Sequence, residues 1–137
     1  MRKSYKQMNR SEVRSLVSRI KRINDCKITL SNHAKQRMKE RNINEKEVRD
    51  VFNNFNIIEF NARNDGTISA LIRDKNKGQQ VSLSVDLSSG SILTVYKNHY
   101  KDNHRSVNPD IYNQRIDITS FLKYYRIHKN IRKLKKC

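Results

Sequence analysis

At 137 residues the chain has room for one domain with a single core, and 35% apolar residues at a mean hydropathy of −0.92 keep that core small. A net charge of +17 points to a polyanionic partner, nucleic acid first, with an anionic membrane surface or an acidic protein as the alternatives. No stretch is long and apolar enough to span a membrane, the first residues lack a signal peptide's apolar run, and Cys26 and Cys137 stand too far apart to suggest a disulfide framework or a zinc site.

The expectation is a cytoplasmic protein with no membrane partner. Its charge is unevenly spread. Residues 1–27 carry +7 and residues 121–137 another +7, whereas residues 28–120 carry only +3. The expected division is therefore a basic amphipathic N-terminal helix over 1–27 and a basic C-terminal helix and tail over 121–137, two arms that add affinity, on either side of an α+β core over 28–120 that carries any chemistry.

Val13, Leu16, Val17, Ile20 and Ile23 follow Ser11 at helical spacing and predict a first helix over about 11–24, with Arg14, Arg19, Lys21 and Arg22 on its outer face. Lys27 to Leu30 reads as a short extended link. Ser31 is the expected N-cap of a second helix that buries Ala34 and Met38 and stops at Asn42. Asn44 with Glu47 three residues later makes a capping box for a third helix, with Ile43 stapling to Val48 and with Val48, Val51 and Phe52 facing inward.

From residue 56 the period changes to alternation. Ile57–Phe60, Thr67–Arg73, Gln80–Leu87 and Ser91–Lys97 are expected strands, separated by turn clusters at Asn64-Asp65-Gly66, Asn76-Lys77-Gly78 and Ser88-Ser89-Gly90. Val81, Leu83, Val85 and Leu87 share one face of the third. On the fourth, Leu93 and Val95 are expected to face the core, and Ile92, Thr94 and Tyr96 the opposite, polar side. A loop from Asn98 to Pro109 holds His99, His104 and Arg105. A final helix from Asp117, with Ile118, Phe121, Leu122 and Tyr125, leads into Lys129, Arg132, Lys133, Lys135 and Lys136. The fold class expected is α+β: N-terminal helices packed on a four-stranded antiparallel sheet, with a C-terminal helix and basic tail.

The second helix carries the chemistry-bearing residues. His33, Arg37 and Arg41 succeed one another a turn apart, so one imidazole and two guanidiniums share a stripe, with Lys35 on the same helix. Arginine offers a fixed fork of donors to a phosphate, and histidine moves protons near neutral pH. The same residues also suit a solvated basic face.

The run His33-Ala34-x-x-Arg37-Met38-x-x-Arg41-x-Ile43, with Asn44 and Val48 after it and Thr94-Val95-Tyr96 on the last strand, resembles an uncharacterised bacterial domain family grouped with the RelE-like, colicin-like and barnase-like ribonucleases. The resemblance covers roughly residues 28 to 100. It implies RNA cleavage without a metal or other cofactor. It also implies catalytic roles for His33, one of Arg37, Arg41 or Arg73, and the Thr94 and Tyr96 pair.

Cleavage by the 2′-hydroxyl needs a base near that hydroxyl, positive donors on the phosphate oxygens and a donor for the leaving oxygen. His33, an arginine and Thr94 meet the first two needs, and Tyr96 is better suited to positioning or base stacking than to proton transfer at its ordinary pKa. Plainer roles exist for each: His33 as a solvent-facing cap residue, Tyr96 as core, Arg73 paired with Asp74. His99 and His104 are a second acid or base, or simply loop residues. A metal site built from the three histidines finds no HxxxH spacing to support it.

Two function classes follow. One is a toxin-like endoribonuclease, with RNA as substrate and an acidic antitoxin or immunity protein as partner. The other is a non-catalytic nucleic-acid-binding or inhibitory module, encoded by a phage or mobile element, that keeps the fold.

Overall fold

Alternating apolar residues build the middle of the fold in the computed structural model, which describes residues 1–25, 28–76, 78–99, 113 and 115–124, apart from the His99 side chain. Strands β3 (Phe55–Ala62), β4 (Ile68–Asp74), β5 (Gln79–Asp86) and β6 (Ser91–His99) form an antiparallel meander. Gly66 and Gly90 take φ of 88° and 75° in the first and last hairpin turns, a left-handed conformation that residues with a Cβ resist.

Two short strands extend this meander. β1 (Arg2–Ser4) pairs antiparallel with β3, and β2 (Thr29–Leu30) pairs parallel with β6. Among the described residues the sheet therefore has six strands in the order β1-β3-β4-β5-β6-β2, and it is mixed. The α+β class holds, but the four-stranded antiparallel sheet expected from the sequence is only its centre. Strands of three and two residues show no period, and main-chain hydrogen bonds alone define them.

Helix α1 (Arg10–Asp25) is capped by Asn9, whose side chain accepts from the Glu12 amide at 2.9 Å while Glu12 accepts from the Asn9 amide at 3.1 Å. Leu16, Ile20 and Ile23 are fully buried. They belong to one core with Ala34 and Met38 of α2 (Asn32–Glu40), Val48 and Val51 of α3 (Glu45–Val51), Ile118 and Leu122 of α4 (Ile118–Tyr124), and strand residues such as Phe60, Ile72, Leu83 and Val95. The first helix is thus a core element and not an arm outside it. At the start of α4, Asp117 accepts from the Ser120 hydroxyl at 2.8 Å, and that bond, with the Ser120 amide, holds the Asp117 carboxyl below its ordinary pKa. Phe121 stacks obliquely on Phe60, ring centroids 5.7 Å apart. Tyr125 lies outside the described residues.

A bulge corrects the expected facing of β6. Ser84 pairs with Thr94 but Val85 pairs with Ile92, so Leu93 is an extra residue in the ladder. Simple alternation would put Ile92 beside Thr94 and Tyr96. The extra residue instead turns Ile92 into the core, where it is fully buried with Val95, and leaves Thr94 and Tyr96 on the opposite face.

Candidate functional site at the edge of strand six

The motif helix is fastened at both ends. Ser31 accepts from the Ala34 amide at 3.0 Å as N-cap, donates its hydroxyl to the Leu93 carbonyl at 3.1 Å, and gives its backbone N–H to the Ile92 carbonyl at 3.0 Å. That ties the start of α2 to the edge of β6. At the other end Asn42 adopts φ 54°, and the Ile43 amide reaches back to the Met38 carbonyl at 2.9 Å, a Schellman closure with asparagine in the left-handed position.

Between these anchors, helical geometry puts His33, Arg37 and Arg41 within an arc of about 80°, beside the buried Ala34 and Met38, with Lys35 on the other flank. Contacts run along the stripe. Arg37 directs Nε toward His33 Nε2 at 3.5 Å, a long contact that sets orientation more than it adds energy, and pairs Nη1 with Glu40 Oε2 at 2.9 Å. Glu40 Oε1 accepts from Gln36 at 3.1 Å. Arg41 closes the series: Nη1 donates to the Val95 carbonyl, and the guanidinium carbon lies 5.1 Å from the centroid of the Tyr96 ring. Stripe and strand therefore meet at Tyr96, which stays 41% exposed, with Thr94 on the same face of β6.

Across that face the ladder aligns Arg73 of β4, Ser82 of β5 and Tyr96 of β6. Arg73 is 8% exposed and Ser82 4%, and Ser82 donates to Asn98 at 3.1 Å. Asp74 uses its carboxylate on the Asn76 amide and side chain, at 3.0 and 2.8 Å. The three candidate arginines thus differ: Arg37 faces His33, Arg41 faces Tyr96, and Arg73 is inside the protein. Among the described residues no three or more His, Cys, Asp or Glu side chains gather as metal ligands.

A family model described as a domain of unknown function, DUF4258, matches residues 30–118. The chain belongs to this family. No curated protein and no solved structure matches the chain. The DUF4258 region opens on the last residue of β2 and ends on the first of α4, so it holds His33, Arg37, Arg41, Arg73, Thr94 and Tyr96 together. Arg14, Arg19, Lys21 and Arg22 precede the DUF4258 region, and Lys129, Arg132, Lys133, Lys135 and Lys136 follow it.

The expected nucleic-acid contacts are not all on one surface. Arg14, Lys21 and Arg22 are exposed on the outside of α1. Lys35 is exposed on the flank of α2 away from the stripe, where it and Arg49 border a groove of about 370 Å³ floored by Ile28, Leu30 and Val48. Arg19 is not outside at all. It is 9% exposed, and its guanidinium donates to the Leu87 carbonyl at 2.8 Å and the Leu122 carbonyl at 2.6 Å, joining α1 to the turn after β5 and to α4. Its position beside Ile20 and Ile23 on the helical wheel is the signal in the sequence that points inward. The His99 side chain, His104, Arg105 and the tail residues Lys129, Arg132, Lys133, Lys135 and Lys136 lie outside the described residues. Glu40 and Gln36 also belong to the stripe, although no motif marks them. They stand at i+3 and at i−1 to Arg37, and the i,i+3 acid-base spacing of Arg37 and Glu40 is their one trace in the sequence.

Proposed function

We propose that the protein binds RNA and cleaves it without a metal, on the surface where the α2 stripe meets the outer half of β6, in the manner of the RelE-like, colicin-like and barnase-like ribonucleases. The supporting observation is Arg41, which bonds the Val95 carbonyl and covers one side of the Tyr96 ring, joining the end of the His33, Arg37 and Arg41 stripe to the strand that carries Thr94 and Tyr96.

In this scheme His33 takes the proton of the ribose 2′-hydroxyl as that oxygen attacks the adjacent phosphorus. Arg37 and Arg41 offer guanidinium donors to the non-bridging oxygens, where charge grows in the phosphorane. Thr94 donates to a phosphate oxygen, and the exposed side of Tyr96 stacks on a base. The P–O5′ bond then breaks, and the 5′ oxygen is protonated by water. The products are a 2′,3′-cyclic phosphate and a 5′-hydroxyl. Arg73, on the same face of the sheet two strands from Tyr96 and only 8% exposed, is given no step in this scheme. An acidic inhibitor protein is the partner that a +17 chain of this kind favours, because complementary fields speed association.

The test is incubation with bulk RNA in EDTA, followed by end-group analysis. Cleavage with cyclic-phosphate ends is expected, and His33→Ala should lower the rate by about 10²–10⁴, the usual worth of a general base. Cleavage undiminished in His33→Ala excludes the assigned base. RNA bound but left intact by the parent protein reduces the function to a nucleic-acid-binding module.

A further inference from the structure

Glu40 is the one acid on α2, and nothing local favours it there. It stands in the last turn, at the negative end of the helix dipole, and beside two arginines whose proposed task is to meet phosphate. Its pair with Arg37 is exposed, 44% for the Glu40 side chain and 38% for that of Arg37, so it adds little to stability. What the carboxylate does is geometric. Oε2 accepts from Arg37 Nη1 at 2.9 Å and Oε1 from Gln36 Nε2 at 3.1 Å, so both oxygens are engaged, and the guanidinium is held with Nε toward His33 Nε2 at 3.5 Å.

That last contact fixes a proton. Every guanidinium nitrogen carries hydrogen and none accepts, so the ring nitrogen facing Arg37 must offer a lone pair. A neutral imidazole has one such nitrogen, and with Nε2 as the acceptor its hydrogen is on Nδ1. His33 is exposed, and its side chain makes no other hydrogen bond among the described residues, so the Arg37 donor is what selects this form.

We propose that Glu40 is a positioning residue for His33: through Arg37 it holds the imidazole with hydrogen on Nδ1 and the basic lone pair on Nε2. In the cleavage scheme above, on which this role in catalysis rests, the 2′-hydroxyl proton therefore passes to Nε2, on the side of the ring that faces Arg37. The imidazolium so formed carries hydrogen on both nitrogens and accepts nothing, which releases Arg37 Nε to the phosphate oxygens as their charge grows. Gln36 acts one step further out, keeping Glu40 turned toward Arg37.

Long-range proton–nitrogen NMR on the isotope-labelled full chain reads the tautomer directly at about pH 8.5, where an ordinary imidazole is neutral. His33 is identified by the signals missing from His33→Gln. Its Nδ1 is expected at the shift of a protonated nitrogen and its Nε2 at that of a lone-pair nitrogen. Glu40→Ala, a change that helices accept, should move both toward the averaged shifts of an unheld imidazole, and Arg37→Met should do the same, whereas Lys39→Ala should move neither. In cleavage, Glu40→Ala should lower kcat about tenfold without raising KM, because the base loses its orientation while the loss of an acid favours RNA binding. Shifts unaltered in Glu40→Ala, hydrogen on Nε2 in the parent chain, or a kcat that stays level or rises would each overturn the proposal. A parent chain that shows the expected tautomer, loses it in Glu40→Ala and yet cuts no RNA upholds the grip of Glu40 on His33 and removes the cleavage reading instead.

Discussion

Lys3 and Glu12 show how a strongly basic chain keeps a charge inside. Glu12 is 2% exposed, and Lys3 donates to both its oxygens at 2.8 Å and to the Ile116 carbonyl at 2.7 Å, while the Ile118 amide adds a bond at 3.0 Å. Burial, the largest influence on Glu12, favours the neutral acid, yet the Lys3 hydrogen bond, the Ile118 and Asn9 amides and the Lys3 charge together outweigh it and hold the pKa below its ordinary 4.5. A carboxyl depressed in the folded state stabilises above its unfolded pKa, and that stability is lost as the pH falls through the folded value. Urea unfolding should therefore show a constant contribution near neutrality and a decline below about pH 4.5, a decline weakened in Glu12→Gln. Lys3→Met leaves a buried carboxylate without its cation and should cost about 3–5 kcal/mol at pH 7, with the cost shrinking in acid as Glu12 takes up a proton. A pH-independent cost would mean that Lys3 acts by packing alone.

Elements with their own start signals were the legible ones. Asn44 accepts from the Glu47 amide at 2.8 Å, and Glu47 Oε1 accepts from the Asn44 amide at 3.2 Å, the reciprocal box expected from Asn-x-x-Glu. Asn44→Ala should lower stability by about 1 kcal/mol in thermal or urea unfolding, and a change near zero would show that core packing of Val48 and Val51 holds α3 without its cap. Ser31 at α2 and the four central strands were equally readable, because caps and two-residue alternation are local signals. β1 and β2 were not, since pairing that depends on a distant strand leaves no pattern in three or two residues. The bulge at Leu93 was hidden for a related reason: an extra residue changes facing without changing composition. At the candidate site the stripe and the facing of Thr94 and Tyr96 were visible in spacing. The burial of Arg73 was not, because arginine is an outside residue by default; for Arg19 that default hides the inward wheel position, and the Leu87 and Leu122 carbonyls are what satisfy it inside.

For the whole molecule, the same facts redistribute the charge that meets a polyanion. Of the cations before residue 28, Lys3 and Arg19 are buried and bonded within the protein, so the N-terminal segment presents less positive surface than its composition suggests. The C-terminal stretch keeps a dense excess, seven Lys/Arg against no acid over 121–137, all of it after the end of the DUF4258 region in sequence. Affinity and cutting should therefore separate. Deleting residues 129–137 removes Lys129, Arg132, Lys133, Lys135 and Lys136 without touching α4 or the stripe. Each of these that neutralises a phosphate releases a counterion, so the log–log dependence of RNA affinity on salt should flatten by about 0.7 for every phosphate on single-stranded RNA that the shortened chain no longer engages. Anisotropy titrations from about 50 to 200 mM salt measure that slope, and gel mapping of products should show unchanged cleavage positions. If the slope is the same with and without residues 129–137, the positive field that captures RNA belongs to the folded core, and exposed α1 and α2 cations such as Arg14 and Lys35 become its source.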